Sequence, residues 1–68
     1  MKIVYIKKDD QKGFYSGPAP EYGKPLGEFT VTTAQAATDM SRQEAETVVD
    51  KLKRRGWKAD VCDPAYER

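Results

Sequence analysis

Few residues in this chain have the types and spacing that catalysis requires. The sequence contains no histidine, so a serine or cysteine nucleophile lacks its usual neighbouring base. The single cysteine, Cys62, cannot form an internal disulfide, and multi-cysteine zinc sites are excluded. A nearby Lys58 or Arg55 could activate the Cys62 thiol, but we expect an ordinary thiol because the local alternation turns it away from Trp57 and Val61. The sequence therefore predicts a protein that is not an enzyme and has no cofactor.

Two pairs of carboxylates have the ligand chemistry of a site for a hard cation. They are Asp9 with Asp10, and Asp60 with Asp63. Each pair lacks the surrounding oxygen ligands of a recognised metal-binding loop. We therefore interpret both pairs as turn residues and solubilising surface charge, and predict no metal site.

A local group of cations has the chemistry needed to bind phosphates. The group consists of Lys51, Lys53, Arg54, Arg55 and Lys58, with Lys7, Lys8 and Lys12 as further candidates. Aromatic side chains on an open sheet face could add stacking with unpaired bases. However, cations at the end of a helix also complement its dipole, and acidic residues are interspersed among them. Weak, salt-sensitive nucleic-acid binding is therefore the alternative hypothesis.

Tyrosines suggest a surface for a protein partner. Tyrosine is favoured in interfaces because it offers a large contact area at low entropic cost, and the candidates are Tyr5, Tyr15 and Tyr22. Tyr22 lies in residues 17–27, a loop rich in proline and glycine that loses less entropy on binding than a flexible one. The favoured hypothesis is a small protein-interaction module. A homodimer, in which a second copy covers an exposed sheet face or edge, is a second alternative.

The elements that position these residues begin with a helix at 42–55. Ser41 and Glu44 have the spacing of a capping box, and Gly56 suits the left-handed residue that ends a helix. One apolar stripe follows from the spacing of Ala45, Val48, Val49 and Leu52.

Strands are predicted on both sides of this helix. Residues 2–8, 14–16, 28–32 and 57–61 are rich in β-formers or alternate between apolar and polar, with a turn at 9–13. We expect Trp57 to lie in the core, and residues 33–39 are compatible with one helical turn. The predicted fold is an α+β domain of order β-β-β-α-β, in which a small, largely antiparallel sheet of three to four strands carries one helix on one face.

The whole chain is interpreted as one small domain. Its 68 residues carry a net charge of +1, and the mean hydropathy is −0.82. No apolar run approaches the roughly 20 residues that span a membrane. No signal peptide is predicted, so we expect a cytoplasmic protein without membrane contact. Residues 64–68 are predicted to form a frayed C-terminal tail.

Three short stretches of the sequence carry a family resemblance. They are Phe14-Tyr15-Ser16-Gly17, Ala37-x-x-Met40-Ser41-x-x-Glu44-Ala45-Glu46, and Leu52-Lys53-x-x-Gly56-Trp57-x-Ala59-x-Val61. This layout resembles a class of very small phage and prophage proteins with a Tyr-Tyr-Ser-Gly-like hairpin end and a G-Y-x-A-x-V last strand. The resemblance implies cytoplasmic expression and, as a role, binding that modulates a host or defence complex. It assigns no functional residue.

Overall fold

The computed structural model describes residues 1–64, which form a four-stranded sheet and one α-helix. The elements are β1 (Ile3–Lys8), β2 (Gln11–Ser16), β3 (Thr30–Thr32), α1 (Arg42–Arg54) and β4 (Lys58–Cys62). One turn of 3-10 helix, Ala34–Ala36, precedes α1. The predicted α+β class and the order β-β-β-α-β are confirmed. Apart from Pro64, the predicted C-terminal tail lies outside the described residues.

The sheet is antiparallel throughout, in the order β3-β2-β1-β4. A tight turn of Asp9 and Asp10 joins β1 to β2, because Lys8 is already paired with Gln11. Asp9 has a left-handed backbone (φ 52°), a conformation that aspartate tolerates better than most residues. The turn predicted at 9–13 is therefore confined to residues 9 and 10, since residues 11–13 belong to β2.

Two strand boundaries also differ from the prediction. β3 begins at Thr30 rather than at residue 28, which extends the preceding loop to residue 29. β4 begins at Lys58, one residue after the predicted start, and Trp57 donates its backbone N–H to the carbonyl of Leu52 (3.0 Å). The backbone N–H of Trp57 is therefore hydrogen-bonded to the end of the helix.

β3 pairs closely with β2 because residue 13 has no side chain. A Cβ atom on Gly13 would lie 2.6 Å from Cγ1 of Val31 and 2.9 Å from the carbonyl oxygen of Thr32. Real Cβ contacts are longer than this, so glycine is required for β3 to approach at this register.

The helix begins where its sequence predicts and ends at Arg54, one residue before the predicted end. The backbone N–H of Glu44 donates to Oγ of Ser41 (3.1 Å), and the Glu44 carboxylate accepts from the N–H of Ser41 (3.0 Å). Gly56 follows the last turn with φ 89°. These contacts satisfy orphan backbone groups at both ends, so α1 is bounded by its own sequence.

The core lies between α1 and one face of the sheet. Its buried members are Val4, Ile6, Tyr15, Leu26, Met40, Ala45, Val48, Leu52 and Ala59. Trp57 is half-buried at the edge of this core, where its ring meets that of Phe29 edge to face with centroids 5.5 Å apart. The apolar stripe of α1 therefore fills one face of the sheet.

The segment before α1 ties the ends of β1 and β2 together. Met40 exchanges two backbone hydrogen bonds with Lys2 (2.8 and 2.9 Å), and the N–H of Thr38 donates to the carbonyl of Tyr15 (3.1 Å). The Thr38 hydroxyl accepts from the N–H of Gly17 and donates to its carbonyl, both at 2.9 Å. This segment fixes where α1 begins relative to the sheet. Within residues 1–64, no helix has the length and apolar character needed to cross a membrane.

The position of the core predicts that substitutions at two neighbouring helix residues differ strongly in their effect on the free energy of unfolding. Leu52→Ala removes fully buried atoms, and we expect it to lower the free energy of unfolding by about 2–5 kcal/mol. Lys53→Ala, at the next and exposed position, should change it by less than about 0.5 kcal/mol. Chemical denaturation followed by circular dichroism measures both.

If Leu52→Ala does not fold, Ile6→Val provides the same test with an expected loss of about 0.5–1.5 kcal/mol. Equal stabilities for the Leu52 and Lys53 variants would contradict the assignment of the core.

Candidate functional site

The face of the sheet opposite α1 is the candidate site, and we call it the open face. Val4, Ile6 and Ala59 face the helix, so the residues that alternate with them point away from it. The alternating set on the open face is Ile3, Tyr5, Lys7, Lys12, Phe14, Ser16, Thr30, Thr32, Lys58, Asp60 and Cys62. Ile3 is buried, and the others are half-buried or exposed.

Three lysines lie side by side across this face. Lys7 of β1 is paired directly with Lys12 of β2 on one side and with Lys58 of β4 on the other. Directly opposed residues have Cβ atoms about 4.5–5.5 Å apart, and like charges in such positions are destabilising. All three side chains are exposed, and none forms an ion pair within residues 1–64. We call this set the lysine row.

An aromatic pair lies in the row of residues next to the lysines. Tyr5 is paired with Phe14, and their rings pack edge to face with centroids 5.5 Å apart. Both side chains are half-buried, and both belong to the two central strands. Thr32 and Asp60 extend this row at its two ends. The open face therefore combines two partly exposed aromatic rings with three lysines that form no ion pair within residues 1–64.

A shallow depression at one end of the sheet extends the positive surface. It is lined by Lys7, Lys8, Asp9, Gly56 and Lys58. The Lys8 ammonium lies 5.5 Å from the centre of the Trp57 ring, within cation–π range. One carboxylate therefore accompanies three ammonium groups around this depression.

The structure does not bring the predicted carboxylate pairs into a metal site. Asp60 lies on the open face beside Tyr5, whereas Asp63 forms an ion pair with Lys2. Hydrogen bonding and the charge of Lys2 lower the pKa of the Asp63 carboxyl below its ordinary value. Among the described residues, no group of three or more potential metal ligands occurs.

The sequence predicts Tyr15 as a partner-binding residue, whereas the structure places its side chain in the core. Its side chain is 0% exposed and lies on the helix-facing side of β2, because alternation places it opposite to Phe14. Its ring packs against Phe29 with centroids 5.4 Å apart, and its hydroxyl donates to the carbonyl of Pro18 (2.7 Å). Burial raises the pKa of this hydroxyl above its ordinary value, and the charge of Arg55 partly opposes the shift. Tyr15 is a core residue that also fixes the start of the long loop.

The five cations of the proposed nucleic-acid cluster do not form one surface. Lys58 lies on the open face, because Ala59 occupies the helix-facing position of β4. Lys51 donates to the carbonyl of Lys24, and Arg55 donates to the carbonyl of Leu26. Arg54 pairs with Asp50 at 3.2 Å, and Lys53 has no ion-pair partner within residues 1–64. Helix-end cations therefore serve mainly to hold the loop and the helix.

The long loop, residues 17–29, is anchored at several points. Leu26 is buried in the core, and its carbonyl accepts the hydrogen bond from Arg55. Another anchor is the carbonyl of Pro18, which accepts a hydrogen bond from Tyr15. Tyr22 lies between Pro18 and Leu26 and is fully exposed. Of the three candidate tyrosines, Tyr5 and Tyr22 are thus accessible, but on different surfaces.

Sequence reasoning missed part of the open-face set. Lys7 and Lys12 were named only as neighbours of the helix-end cluster, and Phe14 was considered only as one of three aromatic residues, with Tyr5 and Tyr15, for the uncovered sheet face. A turn confined to residues 9 and 10 would have placed Lys7 opposite Lys12 and Tyr5 opposite Phe14 by counting alone. The available signal was therefore the hairpin register.

Comparisons with protein-family models, with curated proteins and with solved structures find no match to this chain. The resemblance to small phage and prophage proteins therefore stays a prediction.

The buried hydroxyl of Tyr15 predicts a specific alkaline sensitivity. Its raised pKa means that the folded state favours the neutral form, so this contribution is complete below about pH 10 and is lost as pH rises through the folded pKa. We expect Tyr15→Phe to lose about 0.5–1.5 kcal/mol at neutral pH with the hydrogen bond to Pro18. Its stability should then fall less steeply than that of the parent protein at alkaline pH.

Denaturation curves between neutral and alkaline pH measure this difference. Tyr22→Phe is the matched control, because it makes the same substitution at a fully exposed tyrosine outside the core. Identical alkaline slopes for Tyr15→Phe and the parent protein would contradict the buried, protonated state of Tyr15.

Proposed function

We propose that this protein is a non-enzymatic nucleic-acid-binding module that acts through the open face of its sheet. The observation that carries this proposal is the lysine row, three directly opposed cations without a carboxylate partner in the described residues. An arrangement that opposes folding in the isolated protein becomes favourable when a polyanion lies across it, because phosphates neutralise all three charges.

The position of the lysine row also favours this function over a role in folding. Three cations at the end of α1, Lys51, Arg54 and Arg55, have structural partners, namely backbone carbonyls or Asp50. Lys7, Lys12 and Lys58 lack such partners within residues 1–64, so their charge is available to a ligand. The net charge of +1 does not predict this, because the charges are unevenly distributed.

A homodimer formed through the open face is a weaker candidate. Face-to-face association would bring together the lysine rows of both copies and remove them from water. Burying unpaired charges is strongly unfavourable, so the charge of this face argues for an anionic partner rather than a second copy.

Charge reversal in the middle of the lysine row separates binding from folding. Lys7→Glu places a carboxylate between Lys12 and Lys58, so we expect unchanged or higher stability from two opposite-charge pairs. Affinity for an oligonucleotide of about ten nucleotides should fall roughly ten-fold or more at low salt. The dependence of affinity on salt should also become shallower. Fluorescence anisotropy measures both binding quantities.

Lys53→Glu is the matched control, because it makes the same charge change at an exposed position on α1. We expect it to reduce affinity much less than Lys7→Glu does. Equal losses of affinity in the two variants would show that binding depends on the overall charge of the protein and not on the open face. Absence of any salt-dependent binding by the parent protein would refute the proposed function.

Protein binding through the long loop is a second candidate function. The observation that favours it is Tyr22, which is fully exposed while Leu26 and the carbonyls of Lys24 and Leu26 are held by the core and by α1. An exposed tyrosine on an anchored, proline-rich loop loses little entropy when it enters a partner's pocket. If the protein is a phage accessory protein directed at a host complex, as the resemblance implies, this loop is the surface that we propose for the contact.

A photo-crosslinking amino acid at position 22 tests the loop. We expect one dominant protein adduct from position 22 and none from position 28, an exposed position of the same loop. The identified partner, once purified, should bind Tyr22→Ala at least roughly ten-fold more weakly than the parent protein. The same adducts from both positions would contradict this candidate.

A further inference from the structure

We infer that the nucleic acid bound by the open face is single-stranded, with its phosphates along the lysine row and its bases on Tyr5 and Phe14. This inference rests on the proposed function and adds the class of ligand and its orientation. It is carried by the juxtaposition of two neighbouring rows on one surface, one cationic and one aromatic.

The aromatic pair is the feature that distinguishes single strands from duplexes. Tyr5 and Phe14 lie on adjacent central strands and are only half-buried, so part of each ring is accessible. Aromatic side chains stack with bases that are free of their neighbours, whereas bases in a duplex are already stacked on each other. A duplex would therefore gain the lysine contacts but not the aromatic ones.

The shape of the surface supports the same conclusion. The major groove of DNA is about 12 Å wide and accepts a helix or a two-stranded ribbon. The lysine row extends over three strands, and the row of Tyr5 and Phe14 extends over all four. Because strands are about 4.8 Å apart, the wider row spans about 14 Å between its outer strands, before side chains are counted. A four-stranded face of this width exceeds the width of the groove, so it does not fit face-on into the groove to reach base edges.

The charges on the two rows set the orientation of the strand. Asp60 lies at one end of the aromatic row, beside Tyr5, and its carboxylate repels a phosphate there. Lys7, Lys12 and Lys58 attract phosphates one row away, about 7 Å along the strands. The sugar–phosphate backbone of the nucleic acid therefore runs over the lysines, across the β-strands, and its bases project towards the aromatic pair.

Removal of the π-surface tests the inference independently of charge. Tyr5→Leu and Phe14→Leu keep apolar side chains, and circular dichroism checks that each variant is folded. We expect each to weaken binding of a single strand of about ten thymidines by roughly five-fold or more, while affinity for a duplex of matching length changes little. The parent protein should prefer the single strand by roughly ten-fold or more.

Nuclear magnetic resonance provides a direct readout of stacking. Ring protons of Tyr5 and Phe14 should shift on addition of the single strand, whereas those of the exposed Tyr22 should not. A polyglutamate peptide is the control for an acidic protein partner, and it should leave the Tyr5 and Phe14 rings unshifted.

The possible failures are distinguishable. If Lys7→Glu abolishes binding but both leucine variants bind the single strand normally, the stacking inference is wrong and the proposed function stands. Equal affinity for single strand and duplex, or equally tight binding of polyglutamate, also overturns the inference. If the parent protein binds neither oligonucleotide, the inference and the proposed function fail together.

Discussion

The apolar stripe of α1 packs on β1 and β4, and the remaining structure depends on this contact. Ala45, Val48 and Leu52 are buried against a surface that includes Ile6 and Ala59. A helix of 13 residues is about 20 Å long and about 10 Å wide, so it can cover one face of a four-stranded sheet and no more. Within residues 1–64 no second helix covers the opposite face, so its side chains are available for another purpose.

The cations illustrate how packing divides residues of one type between different roles. Arg55 and Lys51 reach carbonyls of the long loop, so their charge helps to hold Leu26 near the core. Lys7 and Lys58 are directed away from α1 by alternation and face water. Most cations at the helix end therefore have structural partners, whereas the lysine row on the other side of the sheet has none within residues 1–64.

In the proposed function, the two rows of the open face perform different tasks. Lysines provide affinity that decreases with salt, and the Tyr5–Phe14 pair provides π-surface that charge screening does not weaken. The Asp60 carboxylate repels phosphates beside Tyr5, so the phosphate contacts stay with the lysines and the base contacts with the aromatic pair. The surface requires no histidine, and the chain contains none.

Local sequence determined the helix, its capping box, its apolar stripe and the order β-β-β-α-β, because these depend on residues within a few positions of each other. The turn predicted from local sequence was too wide, so the pairing of Lys7 with Lys12 was not predicted. The burial of Tyr15 and the pairing of Lys7 with Lys58 were decided by the tertiary structure. Alternation assigns side chains to two faces, but α1 decides which face is buried, and strand pairing across some 50 residues of chain decides which charges meet.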